Sequence, residues 1–129
     1  MLVVDTNVLV AATVGESERG PLARDFLDEQ EDLATTLLSV MEFRTVLTKK
    51  KCFEQDRVEE LIDGLFERLD VYGPETGDLI EAYRLQEETL LYPIDCILLA
   101  TARGLEGTLV TFDSELLANG AVSPEEFVE

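Results

Sequence analysis

Histidine is absent from this 129-residue chain. Without imidazole there is no Ser–His or Cys–His pair to activate a nucleophile, no histidine general base and no imidazole ligand for zinc. Cysteine is scarce: Cys52 and Cys96 stand alone, without metal-site spacing, and suit two buried thiols of a cytoplasmic protein. No glycine-rich phosphate loop occurs. Long apolar runs are also missing. The longest, LLYPIDCILLATA from Leu90, is broken by Pro93 and Asp95 and suits a buried core helix, so no membrane span is expected. Nor does a charged, then apolar, leader open the chain, and no secretory signal is expected.

Positive charge is the other shortage. Ten Lys and Arg face 28 Asp and Glu, for a formal charge of −18 and a pI near 4.1. The only lysines are consecutive, Lys49, Lys50 and Lys51, and no basic residue follows Arg103. With 46% hydrophobic residues the chain is too apolar for charge-driven disorder. A folded protein with an acidic shell, adapted to a cytoplasm of high salt, is the expectation. Nucleic-acid binding is disfavoured by overall charge, with one local exception: Arg44, the three lysines and Arg57 hold half of all basic residues.

What is present is alternation. MLVV reads as a strand buried on both faces, ended by Asp5, with Thr6 or Asn7 placed to cap a helix through Val8, Leu9 and Ala12. Amphipathic spacing predicts helices over 20–30, from Ser39 towards Lys50, over 55–69 with Val58, Leu61, Ile62, Leu65 and Phe66 inward, and over 77–90 on Leu79, Ala82, Tyr83 and Gln86. A buried helix over 94–103 is expected to stop at Gly104 as its C-cap, and a short one to cover 113–118. Strands are expected at 33–38, 70–72 and 108–111, with an edge strand in the 121–128 tail. With no linker or repeat, the chain is expected to form one domain over 1–129. Its fold class is α/β, a three-layer α/β/α sandwich with a mainly parallel central sheet.

Four acids stand out, each with an ordinary structural role available. Glu42 follows Ser39 by three residues, as in a capping box. Asp95 lies in a first helical turn, favoured by the macrodipole, yet shares a face with Leu98, Leu99 and Ala102, where an unpaired carboxylate is costly. Asp113 follows the strand TLVT and can cap the next helix; Asp5 repeats that arrangement at the start. In a parallel sheet the strand ends bearing Asp5 and Asp113 share one edge with helix N-termini such as those bearing Glu42 and Asp95. Carboxylates converging there stay ionised together only around a cation, and oxygen-only donors select Mg²⁺ or Mn²⁺.

DTNVLVAA from Asp5, LSVMEF around Glu42, YPIDCILLATA around Asp95 and LVTFDSEL around Asp113 together resemble a PIN-domain ribonuclease, most of all the small VapC-type toxins of type II toxin–antitoxin pairs. The resemblance spans essentially the whole chain. It implies a strand order of 3-2-1-4-5, a PIN-like cleft holding Mg²⁺ or Mn²⁺, and endonucleolytic hydrolysis of single-stranded or looped RNA. Asp5, Glu42, Asp95 and Asp113 would be the catalytic, metal-holding acids, with Thr6, Asn7 and Thr111 as polar supports. Partners would be RNA, a cognate antitoxin that blocks the cleft and a second copy in a homodimer; the compact chain favours the toxin over a housekeeping RNA-processing enzyme, and the intact acids argue against a non-catalytic binding module. Lys49, about 10 Å beyond Glu42 on nearly the same helix face, is expected to hold the RNA backbone with Arg44 or Lys50. A signalling receiver would need an acid pair after its first strand and a late lysine; a haloacid-dehalogenase-like phosphatase would need a second aspartate where Asn7 stands. Both lack their residues here.

Overall fold

The computed structural model describes residues 1–15 and 18–129. Leu2, Val3 and Val4 offer no polar position, and they form the inner strand β1 (Leu2–Val4) of a parallel sheet. β2 (Leu33–Thr36) flanks it on one side and β4 (Thr108–Val110) on the other, with β3 (Asp70–Tyr72) beyond β2, giving the order β3-β2-β1-β4 among the described residues. Leu2 pairs with Leu33 and Thr108, and Val4 with Val110.

Successive strand residues point to opposite faces, and two cores result. Val4, Leu33 and Val110 pack with α1 (Thr6–Val14), α2 (Arg19–Glu29), α3 (Leu37–Thr45) and α4 (Gln55–Arg68), where Phe26 and Phe43 are fully buried. Val3, Ala34 and Leu109 pack with α5 (Thr76–Thr89), α6 (Pro93–Gly104) and α7 (Ser114–Leu117). The result is a three-layer α/β/α sandwich. No helix among the described residues is long and apolar enough to cross a membrane.

Several local expectations are corrected. β2 stops at Thr36, and Thr36 rather than Ser39 caps α3: its hydroxyl accepts from the Ser39 N–H at 3.1 Å. Ser39 thus lies inside the first turn, and a capping box with Glu42 is not formed. The tail makes one parallel bridge, Val110 to Val122, and then a 3₁₀ turn, Pro124–Phe127, instead of an edge strand. Pro124 has no N–H for a ladder, and Phe127 packs on Phe26 with ring centroids 5.6 Å apart. In α5 the inward residues are Ala82 and Leu85, which face α6, leaving Tyr83 75% and Leu79 46% exposed. Phe66 of α4 is likewise half exposed, and of the two thiols expected to be buried only Cys96 is, Cys52 being exposed in the loop before α4. Gly104 closes α6 as its last helical residue, not as the cap; a side chain there would collide with the Asp78 carboxylate.

α3 does not end as an α-helix. It passes into a π turn, Val46–Lys50, in which the Lys51 N–H donates to the Val46 carbonyl at 3.0 Å, five residues back. Fully buried Leu47 anchors the turn in the first core.

Candidate active site

The carboxyl edge of the sheet is built around Asp5. The backbone of β1 continues its ladder through the Asp5 N–H to the Val110 carbonyl at 2.9 Å, then breaks into α1. Asp5 itself is the N-cap, the role expected of Thr6 or Asn7: its Oδ1 accepts from the Thr6 N–H at 2.7 Å. Its Oδ2 accepts from the Thr111 hydroxyl at 2.9 Å. That hydroxyl in turn accepts from the Asn7 amide and from the Asp113 N–H, each at 3.0 Å. Asn7 Oδ1 accepts from the Phe112 N–H at 3.1 Å. Thr6 donates to the Ser39 carbonyl at 3.3 Å and so ties α1 to α3. Thr6, Asn7 and Thr111 therefore clamp one acid between β1 and β4. A carboxylate has about four lone-pair directions, so each Asp5 oxygen keeps one free.

The other acids gather from three further segments. Asp113 caps α7, its Oδ1 accepting from Glu115 and Leu116 N–H at 2.8 and 3.1 Å; Oδ2 carries no hydrogen bond among the described residues. Asp95 sits half-buried in the first turn of α6, its side chain also without a hydrogen bond among the described residues. Glu42 projects from the exposed side of α3. Their fields overlap. Burial raises the Asp5 carboxyl above its ordinary range, opposed by the bonds from Thr111 and Thr6, and the charges of Glu42 and Asp113 raise it further. Asp95 is pushed up to about 6, first by burial and then by Asp113, Asp5, Glu42 and Glu115. The structure thus brings Asp5, Glu42, Asp95 and Asp113 within electrostatic reach at one edge, and adds Glu115. The sequence signal for Glu115 was its place two residues after Asp113, in the same helical first turn.

Among the described residues, no three Asp, Glu or Cys side chains are drawn tightly enough together to enclose a metal ion. The donor set nevertheless fits a hard divalent cation. It offers oxygen ligands only, unused lone pairs on Asp5, Asp95 and Asp113, and mutual repulsion that a positive ion would relieve.

The basic residues are placed differently from expectation. Arg44 is taken up by Glu59 of α4 in a two-pronged pair, both N···O distances 2.8 Å, which raises the Arg44 guanidinium and lowers the Glu59 carboxyl. The π turn adds a residue between Glu42 and the lysines, and Lys49 is not among the residues lining the cleft beside Glu42. A cleft of about 260 Å³ is lined instead by Thr6, Asn7, Glu42, Arg19, Lys50 and Lys51. Arg19, which sequence reasoning missed, lies over the Phe112 ring, 4.9 Å from its centroid.

The PIN domain profile matches residues 2–121. The chain belongs to the PIN domain family. Solved structures share this PIN domain's fold over nearly its full length. One is a toxin–antitoxin complex from Klebsiella pneumoniae, with a TM-score of 0.77, 23% identity, and coverage of 96% of this chain and 98% of that one. VapC20 of Mycobacterium tuberculosis, a sarcin–ricin-loop-cleaving toxin, gives 0.79, 18%, and 95% and 97%. DNA-bound VapBC of Salmonella typhimurium gives 0.76, 18%, and 95% of each chain. No curated protein matches significantly. At these identities the likeness is one of fold, and the chemistry of this PIN domain must be argued from its own acids.

Proposed function

We propose that this PIN domain is a Mg²⁺- or Mn²⁺-dependent endoribonuclease that hydrolyses single-stranded or looped RNA, and that it serves as the toxin of a toxin–antitoxin pair in the cytoplasm. The observation that carries this reading is the convergence of Asp5, Glu42, Asp95 and Asp113 from four separate segments at one sheet edge, close enough that the charges of Glu42 and Asp113 act on both Asp5 and Asp95. A merely structural cap does not need three other carboxylates facing it, and their repulsion works against the fold unless a ligand uses them.

Asp5, Glu42, Asp95 and Asp113 would hold the ion. When bound, it would acidify a water and stabilise charge on the phosphate. The chain's own residues supply order. The Thr6 N–H and the Thr111 hydroxyl fix the Asp5 carboxylate, Asn7 orients Thr111, and burial of Asp5 and Asp95 keeps bulk water from weakening their pull on a cation. In-line attack would expel a 3′ oxygen and leave 5′-phosphate ends.

The toxin reading is supported by fold neighbours that are themselves toxin–antitoxin proteins. A partner antitoxin and a homodimer follow from it. Large apolar side chains left exposed on α5, α6 and their junction, among them Tyr83, Leu90 and Tyr92, suit a protein contact. Light scattering should give twice the 14.4 kDa chain mass; a strictly monomeric protein at high concentration would remove the dimer from the reading.

The activity test uses single-stranded and hairpin RNAs with Mn²⁺ in molar KCl, beside Asp5→Asn. Cleavage with 5′-phosphate ends by the wild type alone is expected. Equal cleavage by both proteins would point to a contaminant, and a folded wild type that cuts neither RNA would favour a non-catalytic binding module.

A further inference from the structure

We infer that the cleft formed by Arg19, Lys50 and Lys51 is a backbone-phosphate subsite, holding the strand beside the bond that the acids cut. The inference rests on the nuclease reading above and adds to it the residues that hold the substrate in place. Ten basic residues serve a chain of net charge −18, yet three of them line one cleft. The same cleft is walled by Glu42 of the acid group and by Thr6 and Asn7, which flank Asp5. A strand lying there is thus led directly into the acids.

Two features of the backbone bring these cations together from distant parts of the chain. The π turn after α3 carries Lys50 and Lys51 round to the face of Glu42; a continued α-helix would bring Lys49 there instead. Such turns are frequent at functional sites. Arg19 opens α2, which is pressed against the end of α1: a side-chain carbon on Gly20 would come within 2.8 Å of the Gly15 backbone. Arg19 also rests on Phe112, whose N–H bonds to Asn7. None of the three cations is in an ion pair among the described residues, whereas Arg44 is consumed by Glu59. A partner's acidic peptide is the weaker fit, because it would face the carboxylates at the far wall. A phosphodiester strand instead would have its next phosphate beside the acids, where a divalent cation held by them would offset its charge.

Binding of a fluorescent single-stranded RNA to the full chain, carried in an Asp5→Asn background so that nothing is cut, tests this. Affinity is followed against KCl concentration. Each phosphate contact on single strands contributes about 0.7 to the slope of log affinity against log salt. Arg19→Gln, Lys50→Gln and Lys51→Gln should each reduce that slope by about 0.7, while Arg84→Gln, with the same change in net charge, should not. Arg19→Lys should retain most of the slope. Lys49→Gln reducing it as much as Lys50→Gln would overturn the inference, since the lysines would then act as a solvated run. Unchanged RNA slopes with weakened polyglutamate binding would overturn it in favour of a peptide. Wild-type protein that shows these slopes yet cuts no RNA with Mn²⁺ would support the cleft while removing the nuclease reading.

Discussion

Asp95→Asn should make the metal-free protein more stable at neutral pH and the metal-loaded protein less so. The Asp95 carboxyl rises from 3.8 to about 6, which at 1.36 kcal/mol per unit is about 3 kcal/mol for a fully buried group. Asp95 is only half-buried, and solvent screening reduces this to about 1–2 kcal/mol. Because the folded-state value is raised, the stabilising contribution is fully present below 3.8 and is lost as pH climbs through about 6. Above that the ionised group opposes folding. Asn removes this opposition and sacrifices no hydrogen bond seen among the described residues. Thermal melts in chelator and molar KCl, from pH 3.5 to 8, should show the two proteins alike at the acid end. The variant should then lead by about 3–8 °C at pH 7.5. With Mn²⁺ at a hundred times its dissociation constant the wild type gains about 2.7 kcal/mol, and the order reverses. A difference between the proteins that does not change with pH, or a metal-free wild type more stable than the variant at pH 7.5, would refute the argument.

Thr111→Val removes the hydroxyl that serves Asp5, Asn7 and the Asp113 backbone; cleavage should fall by at least tenfold and stability by about 1–3 kcal/mol, with Thr111→Ser restoring both. Phe43→Ala should lower the urea midpoint through a loss of about 3–5 kcal/mol, since Phe43 is fully buried in the first core. Removal of salt should unfold the wild type by circular dichroism, because a charge of −18 has three ion pairs among the described residues to offset it; a native spectrum in dilute buffer would end the high-salt expectation.

The parallel sandwich was legible because unbroken apolar strands such as LVV have one home, the middle of a covered sheet. The acids could be picked out because Asp5 and Asp113 each follow such a strand and Asp95 interrupts an apolar face. Harder to read were features decided by packing. Tyr83 keeps helical spacing with Leu79 and Gln86, but the small Ala82 lets α5 and α6 approach, and that contact turns Tyr83 outward. Whether Asp5 or its neighbours would cap α1 depended on where β1 stopped pairing, and the bond from the Asp5 N–H to Val110 sets that point. Arg44 looked available to a ligand until Glu59, fifteen residues on, came alongside. Nothing in VLTKK announces a π turn, so helical counting places Lys49 above Glu42, whereas the cleft beside Glu42 is lined by Lys50 and Lys51.

A widened turn accommodates one residue that a regular helix would not, so its presence or absence is equivalent to a single insertion that leaves the rest of the fold in register. Basic positions beyond Val46 therefore cannot be transferred to or from a relative by counting along an ungapped alignment. Loss of one residue between Val46 and Lys51 would tighten the coil, leave the acids where they are, and rotate the lysine tract to a new azimuth.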